Sequence, residues 1–202
     1  MRKVIILAAC LTLSACAQFQ SSTRPSDSPG SLAAMWSAHI KQLENLEQWG
    51  LTGRIGSRTT YRANSASIQW QQDAEHFKIH LSGPFGQGSL TAEGTSKFIT
   101  LHSATTGKIT SNNPQQLLDE QLGWVFPLSK AKNWVIGNPG KPRHDLEKYT
   151  LDDNGRMKLF TDSGWEINYH NYRKTGNIAL PHKVVLKHRG TKIVIIIKSW
   201  KT

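Results

Sequence analysis

Hydrophobic and polar positions alternate with two different periods along this chain. Between residues 31 and 48, Leu32, Trp36, Ile40, Leu43 and Leu46 recur at steps of three and four. That spacing predicts one amphipathic helix, with Ser31 as its N-cap and its end before Gly50. The period then falls to two, as in half-buried strands. The alternating runs are Ala66, Ile68 and Trp70; Phe77, Ile79 and Leu81; Leu90 and Ala92; Ile99 and Leu101. Asp73-Ala74-Glu75 separates the first two runs, and Gly, Pro or Ser the later ones.

The pattern breaks at Pro114 to Gly123, where Pro opens and Gly closes a helix that carries Leu117, Leu118 and Leu122. A second short helix is expected from Phe126 to Ile136, closed by Gly137. Strands resume at Tyr149 to Leu151, Met157 to Phe160, Trp165 to Tyr169, His182 to Leu186 and Lys192 to Trp200. Short strands without alternating helices predict an antiparallel sheet, curled or nearly closed. In the last strand Ile193, Ile195 and Ile197 share one face while Val194 and Ile196 share the other. Both of its faces are therefore expected to be covered.

Composition narrows the class. The 202 residues are 38% hydrophobic and include seven Trp. That is enough for one packed domain, and it excludes a disordered or collagen-like chain. The apolar run Val4 to Leu13 is half the length of a membrane span and follows Arg2 and Lys3, so it reads as the core of an export signal. Behind it, Leu13-Ser14-Ala15-Cys16 resembles the bacterial lipobox, in which the cysteine is acylated and the peptide is cut before it. The competing reading is an ordinary secretory signal cut near Ala15 or Ala17. Cys10 would leave with the signal, and Cys16 would be the only mature cysteine, which an acyl anchor explains. In the Gram-negative lipoproteins that this lipobox resembles, Asp directly after the cysteine retains the protein in the inner membrane, so Ala17 there implies sorting to the outer one. Residues 17–30 are polar and Ser/Pro-rich, a tether. The expected organisation is a signal peptide over 1–15, a lipidated tether over 16–30 and a folded domain over 31–202.

The formal net charge of +11 becomes +9 when Arg2 and Lys3 leave with the signal. The basic residues are spread along the chain and the compartment is extracytoplasmic, so nucleic acid is not an expected partner. A solvated surface is the simplest reading; anionic head groups or an acidic protein are the sharper ones.

Chemistry is sparse. No nucleophile elbow, zinc helix, P-loop, dinucleotide fingerprint or CxxC occurs. His76 and His80 would lie about 13 Å apart on a strand, too far for one ion. Asp152-Asp153-Asn154-Gly155 lacks the later ligands of a calcium loop and reads as a hairpin turn. No enzyme, metal or cofactor is expected. The unusual feature is Gly83-Pro84-Phe85-Gly86, a turn with a large aromatic near its tip. Phe85 either points outward as a membrane probe or folds back over the sheet edge.

The lipobox and tether, the helix with Trp36, the block FKIHLSGPFGQGSLTAEG, the segment NWVIGNPG at Asn133 to Gly140 and the run YTLDDNGRMKLF together resemble the LolB family of outer-membrane lipoprotein receptors. The resemblance covers essentially the whole mature chain. It implies a mainly β fold with a few helices, a curled antiparallel sheet that forms a half-open β-barrel with helices over an apolar cavity. It implies that acylated lipoproteins arrive from the periplasmic carrier LolA and are released into outer-membrane phospholipid by a monomeric receptor anchored through Cys16 on the periplasmic face. An apolar residue, commonly Leu, tips a protruding loop in the family; Phe85 holds that position here. Candidates for the cavity wall are Trp70, Phe77, Ile79, Leu81, Leu90, Ile195 and Ile197, with Leu117, Leu118 and Leu122 as lid; the same stripes would be plain core in a closed sandwich. The rival readings are a structural outer-membrane lipoprotein bound to peptidoglycan or a membrane complex, and a soluble LolA-type carrier, which would share the sheet but lack a lipid-bearing cysteine.

Overall fold

The computed structural model describes residues 29–83 and 88–202. The signal segment, Cys16, most of the tether and Pro84, Phe85 and Gly86 lie outside the described residues. Helix α1 (Pro29–Glu44) is followed by strands β1 (Gln48–Arg58), β2 (Ala63–Asp73), β3 (His76–Ser82), β4 (Ser89–Gly94), β5 (Ile99–Ser103) and β6 (Gly107–Ser111). Helices α2 (Pro114–Leu122) and α3 (Leu128–Trp134) come next. The chain finishes with β7 (Lys148–Leu151), β8 (Met157–Asp162), β9 (Trp165–His170), β10 (Arg173–Thr175), β11 (Ile178–Leu180), β12 (Lys183–His188) and β13 (Thr191–Lys201).

Eleven strands form one antiparallel sheet in the order β6-β5-β4-β3-β2-β1-β13-β12-β9-β8-β7. Twist accumulates over so many strands and curls the sheet, yet β6 and β7 do not pair, so the barrel stays open. β10 and β11 form a separate ribbon. One face carries the apolar rows, such as Leu51–Trp70–Ile79–Ala92–Leu101 across β1 to β5, and Ile55–Ile195–Val184–Tyr169 across β1, β13, β12 and β9. These join the helices in one hydrophobic cluster. The other face is convex and mainly polar. His76 and His80 stand on it, with His80 Nδ1 2.9 Å from Thr91 Oγ1.

Helix α2 ends where the sequence places its ends, whereas α3 spans Leu128–Trp134 rather than Phe126 to Ile136, with Pro127 before it and Val135 as its C-cap. Asn113 Oδ1 accepts from the backbone N–H of Gln116, Pro114 opens α2, and Gly123 closes it in a left-handed conformation, donating to the Asp119 carbonyl. The Asp152 to Gly155 turn links β7 and β8, with the Asp152 side chain accepting from the backbone N–H groups of Asn154 and Arg156.

Three expectations need correction. Helix α1 runs from Pro29 to Glu44, not from Ser31 to Gln48, because Gln48 already begins β1. Strand β1 itself, and the short β6, β10 and β11, are absent from the periodicity reading. In β1 the glycines at 50, 53 and 56 dilute the alternation of Trp49, Leu51 and Ile55. Finally, β13 is covered on one face only: Ile193, Ile195 and Ile197 are buried, while Ile196 is 54% exposed beside its register partners Arg54 and Lys183. β-branched residues suit a pleated strand even where nothing covers them.

Gly53 is irreplaceable for a steric reason. The β1–β13 register shifts between Thr52 and Gly53, and a Cβ on Gly53 would sit 2.1 Å from the Ile196 carbonyl oxygen. Gly53→Val will therefore lower stability by about 2–4 kcal/mol in chemical denaturation. Gly50→Ala, where the nearest atom is 3.5 Å away, will cost about 1 kcal/mol or less. Equal losses would show that the close approach does not matter.

Helix α1 covers the C-terminal half of the sheet. Trp36 and Leu43 are buried, Arg143 lies over the Trp36 ring, and His39 meets Tyr172 edge-on at 6.2 Å. His39 is buried with no hydrogen-bond partner at Nε2, and burial followed by repulsion from Arg156 pulls its pKa down from 6.5 to about 4, against a smaller opposing pull from Asp152. Between those values the unfolded chain binds a proton that the folded one does not. Stability must then fall as pH drops from 6.5 towards 4, by up to about 3 kcal/mol from this group. Denaturation midpoints of the protein and of His39→Phe, compared at pH 7 and pH 4.5, should show a smaller acid loss in the variant; parallel losses would exclude the assignment.

Candidate functional site

Helix α2 lies over the N-terminal half of the sheet, α3 reaches across to β8 and β9, and the two are held differently. α3 is bonded to the strands beneath it. Tyr169 Oη donates to the Trp134 carbonyl at 2.6 Å, and Lys130 pairs with Asp162 at 2.5 Å. Asp162 also takes Lys141 at 2.6 Å. Burial alone would raise the Asp162 pKa, but hydrogen bonds from the two lysines outweigh it and hold the carboxyl below its usual range. Lys132 pairs with Glu75 in the β2–β3 turn.

α2 has no such bonds. Among the described residues its hydrogen bonds stay within 113–128: Gln115 donates to the Phe126 carbonyl and accepts from the Leu128 N–H, and Asp119 accepts from the Phe126 N–H. It meets the sheet through apolar side chains alone.

Between α2 and the sheet is a cleft that, among the described residues, is lined only by apolar ones. Ile55, Ile68, Ile79, Leu81, Leu90 and Ala92 form its wall; Leu118, Leu122, Trp124 and Phe126 form its cover. Burial grades along it. Ile79 and its partner Ala92 are buried, whereas the next pair on that face, Leu81 and Leu90, is half-buried, as are Leu122 and Trp124. The cleft thus opens at the end where Ser82 and Ser89 close the β3–β4 hairpin and Gly83 N–H donates to the Gly88 carbonyl at 3.2 Å. In this state its volume is about 20 Å³, room for roughly one water-sized group. No side chain of the described wall can hydrogen-bond, and Trp124 of the cover carries the one donor among the described lining side chains, so the cleft suits an apolar chain.

Of the ten residues expected around a cavity, Ile79, Leu81, Leu90, Leu118 and Leu122 meet at this cleft. The other five share the apolar face but sit off it. Trp70 is core, 5.2 Å from the Trp49 ring and 6.2 Å from Phe126, with its indole N–H on Gln72. Phe77 and Leu117 are buried beside the cleft. Ile195 and Ile197 pack under the middle of the sheet with Val184 and Ile55. Sequence reasoning missed Ile55, Ile68, Ala92, Trp124 and Phe126 as lining residues. Gly123 was the available signal for the last two, since a chain leaving a left-handed cap turns back over the helix it has closed.

The open sheet and its covering helices recur in a solved LolA superfamily protein from Nitrosomonas europaea, at a TM-score of 0.51 and 8% identity over 84% of this chain and 92% of that one. At that identity the likeness is one of fold. Sequence comparison is more specific. The family profile described as outer membrane lipoprotein LolB matches residues 47–200. The outer-membrane lipoprotein LolB of Pseudomonas fluorescens (strain Pf0-1) is 30% identical over 201 residues, covering 100% of this chain and 96% of that protein. Its counterpart in Pseudomonas putida (strain GB-1) is 31% identical over 166 residues, covering 82% and 80%. The profile reaches every strand of the sheet and both α2 and α3, and the relatives agree along the same length: the chain belongs to the LolB family of outer-membrane lipoproteins.

Proposed function

We propose that this protein is an outer-membrane receptor that takes acylated lipoproteins from the periplasmic carrier LolA, holds their acyl chains in the cleft under α2 and releases them into the membrane. The observation that carries the reading is the all-apolar lining of that cleft beneath a helix fastened by apolar contact alone. Carrying bare acyl chains through water costs about 0.8 kcal/mol per exposed CH₂, so each handover needs an apolar cavity. A cleft of about 20 Å³ cannot contain such a chain while closed. Loading therefore displaces α2 and separates Leu118 and Leu122 from the sheet, while Tyr169, Lys130 and Lys132 keep α3 in place. No nucleotide is needed, because each step moves the chains to a more favourable environment. Acylation of Cys16 keeps the receptor at the periplasmic face of the outer membrane, and Phe85 at the loop tip favours release into the bilayer.

The test mixes Pro29–Thr202, which holds every element and the whole core described above, with a purified acylated lipoprotein on its carrier. Cargo co-purifying with the receptor segment supports the proposal. Cargo remaining on the carrier, with the segment shown to be folded, would leave a structural lipoprotein as the better reading.

A further inference from the structure

The end of the sheet at which the cleft opens carries a feature that cargo binding does not use. Two neighbouring hairpin tips meet there, the β1–β2 turn and the β12–β13 turn. Arg58 and Lys192 are register partners, and a Cβ on Gly190 would lie 3.7 Å from Thr60 Oγ1. Residues 58–63 and 187–192 contain five cations, Arg58, Arg62, Lys187, Arg189 and Lys192, and no acid. Only Lys187 has an ion-pair partner among the described residues, Glu166 at 2.8 Å. Tyr61, at the crown of the first turn, is 92% exposed. The β1–β2 hairpin also outreaches its neighbour, since β2 begins at Ala63 while its pairing with β3 stops at Ser67. The opposite end is mixed in charge: Glu44, Glu47, Asp73 and Glu75 stand exposed around the α1–β1 and β2–β3 turns, with Lys132 paired to Glu75 and with Lys97 and Lys201 at the same end.

We propose that the tips carrying Arg58, Tyr61, Arg62, Arg189 and Lys192 are a docking surface for the anionic phospholipid head groups of a bilayer. Like charges crowded on two adjacent tips repel one another and gain from a negative surface. A tyrosine with no protein neighbour at its ring suits the head-group region, where an apolar ring and a polar hydroxyl are both accommodated. The surface consists of projecting tips, and a plane touches tips, whereas an acidic protein segment would need a groove to lie in. Between the tips and the β8–β9 turn a shallow depression of about 300 Å³, lined by Lys187, His188, Arg189 and Lys192, gives one head group a place to sit. The inference rests on the reading that this protein delivers to a membrane, and it sets the orientation: the mouth at Leu81 and Leu90 faces the bilayer while the α1–β1 and β2–β3 turns face away.

The experiment uses the full-length acylated protein in vesicles, without cargo, so that its outcome does not depend on cargo transfer. Tyr61→Cys and, at the opposite end, Phe98→Cys each receive a fluorophore, and quenching by head-group nitroxide lipid is read in phosphatidylcholine vesicles with and without phosphatidylglycerol. The proposal expects at least threefold stronger quenching at position 61 than at 98 when phosphatidylglycerol is present. It also expects that excess to disappear in about 0.5 M salt, where the Debye length is only a few ångströms, and in the Arg58→Gln/Arg62→Gln/Arg189→Gln variant with an unchanged melting curve. Equal quenching at the two positions, or quenching at 61 indifferent to phosphatidylglycerol and salt, would overturn it. Cargo transfer failing while position 61 stays quenched would sink the receptor reading and leave the docking surface standing.

Discussion

Leu90→Glu will fold and will no longer hold cargo. Leu90 pairs with Leu81 at the half-buried mouth of the cleft, so in the closed state its carboxylate can reach water and the sheet survives. An acyl chain in the cleft removes that escape. The wall offers Ile55, Ile68, Ile79 and Ala92, none of which can bond a carboxylate, and an unpaired charge among them costs several kcal/mol. Capture of acylated lipoprotein should fall by at least about tenfold, the equivalent of 1.4 kcal/mol, with an unchanged circular dichroism spectrum. Ile196→Glu makes the same chemical change on the convex face and should leave capture intact. Similar losses in both variants would mean that the cleft is not where the chains go.

The second large effect falls on release. Phe85→Glu should accept cargo normally and fail to insert it, so that lipoprotein accumulates on the receptor and liposome insertion drops by about tenfold or more. Placing a phenyl group in a bilayer contributes about 1.5–3 kcal/mol, and a carboxylate there reverses the sign. The β3–β4 hairpin is closed by Ser82 pairing with Ser89 and by the Gly83–Gly88 hydrogen bond, so a change within the loop leaves strand pairing alone. Flotation of liposomes after transfer reads the result. Normal insertion by the variant would remove the loop from the mechanism.

Much of the architecture was legible because one face of the sheet is buried and the other is wet, which imposes a period of two on every long strand. The ends of α2 followed from Pro114 and Gly123. Strand β1 was not legible, since Gly53 is there for backbone approach at a bulge rather than for its side chain. Ile196 misled because its β-branched shape suits a strand whether or not anything covers it. The site was half legible for a related reason. Alternation assigns Trp70, Ile79 and Ile195 to one face, but it carries no information about which part of that face lies under α2. Trp70 becomes core because Trp49 and Phe126 close over it, and Ile195 because β13 lies toward the middle of the sheet. Tyr61, outside any periodic run, gave no signal until the two turns were seen side by side.

The central claim is that acyl chains occupy the cleft beneath α2, and photo-crosslinking addresses it without intermediaries. A photoreactive side chain placed at Ile79 in one protein and at Ile196 in another, each loaded with lipoprotein bearing radiolabelled acyl groups, reports which face the chains touch. The account predicts acyl label on the protein crosslinked at position 79 and none above background at position 196. Label at 196 and not at 79, from a folded and loaded receptor, would contradict it.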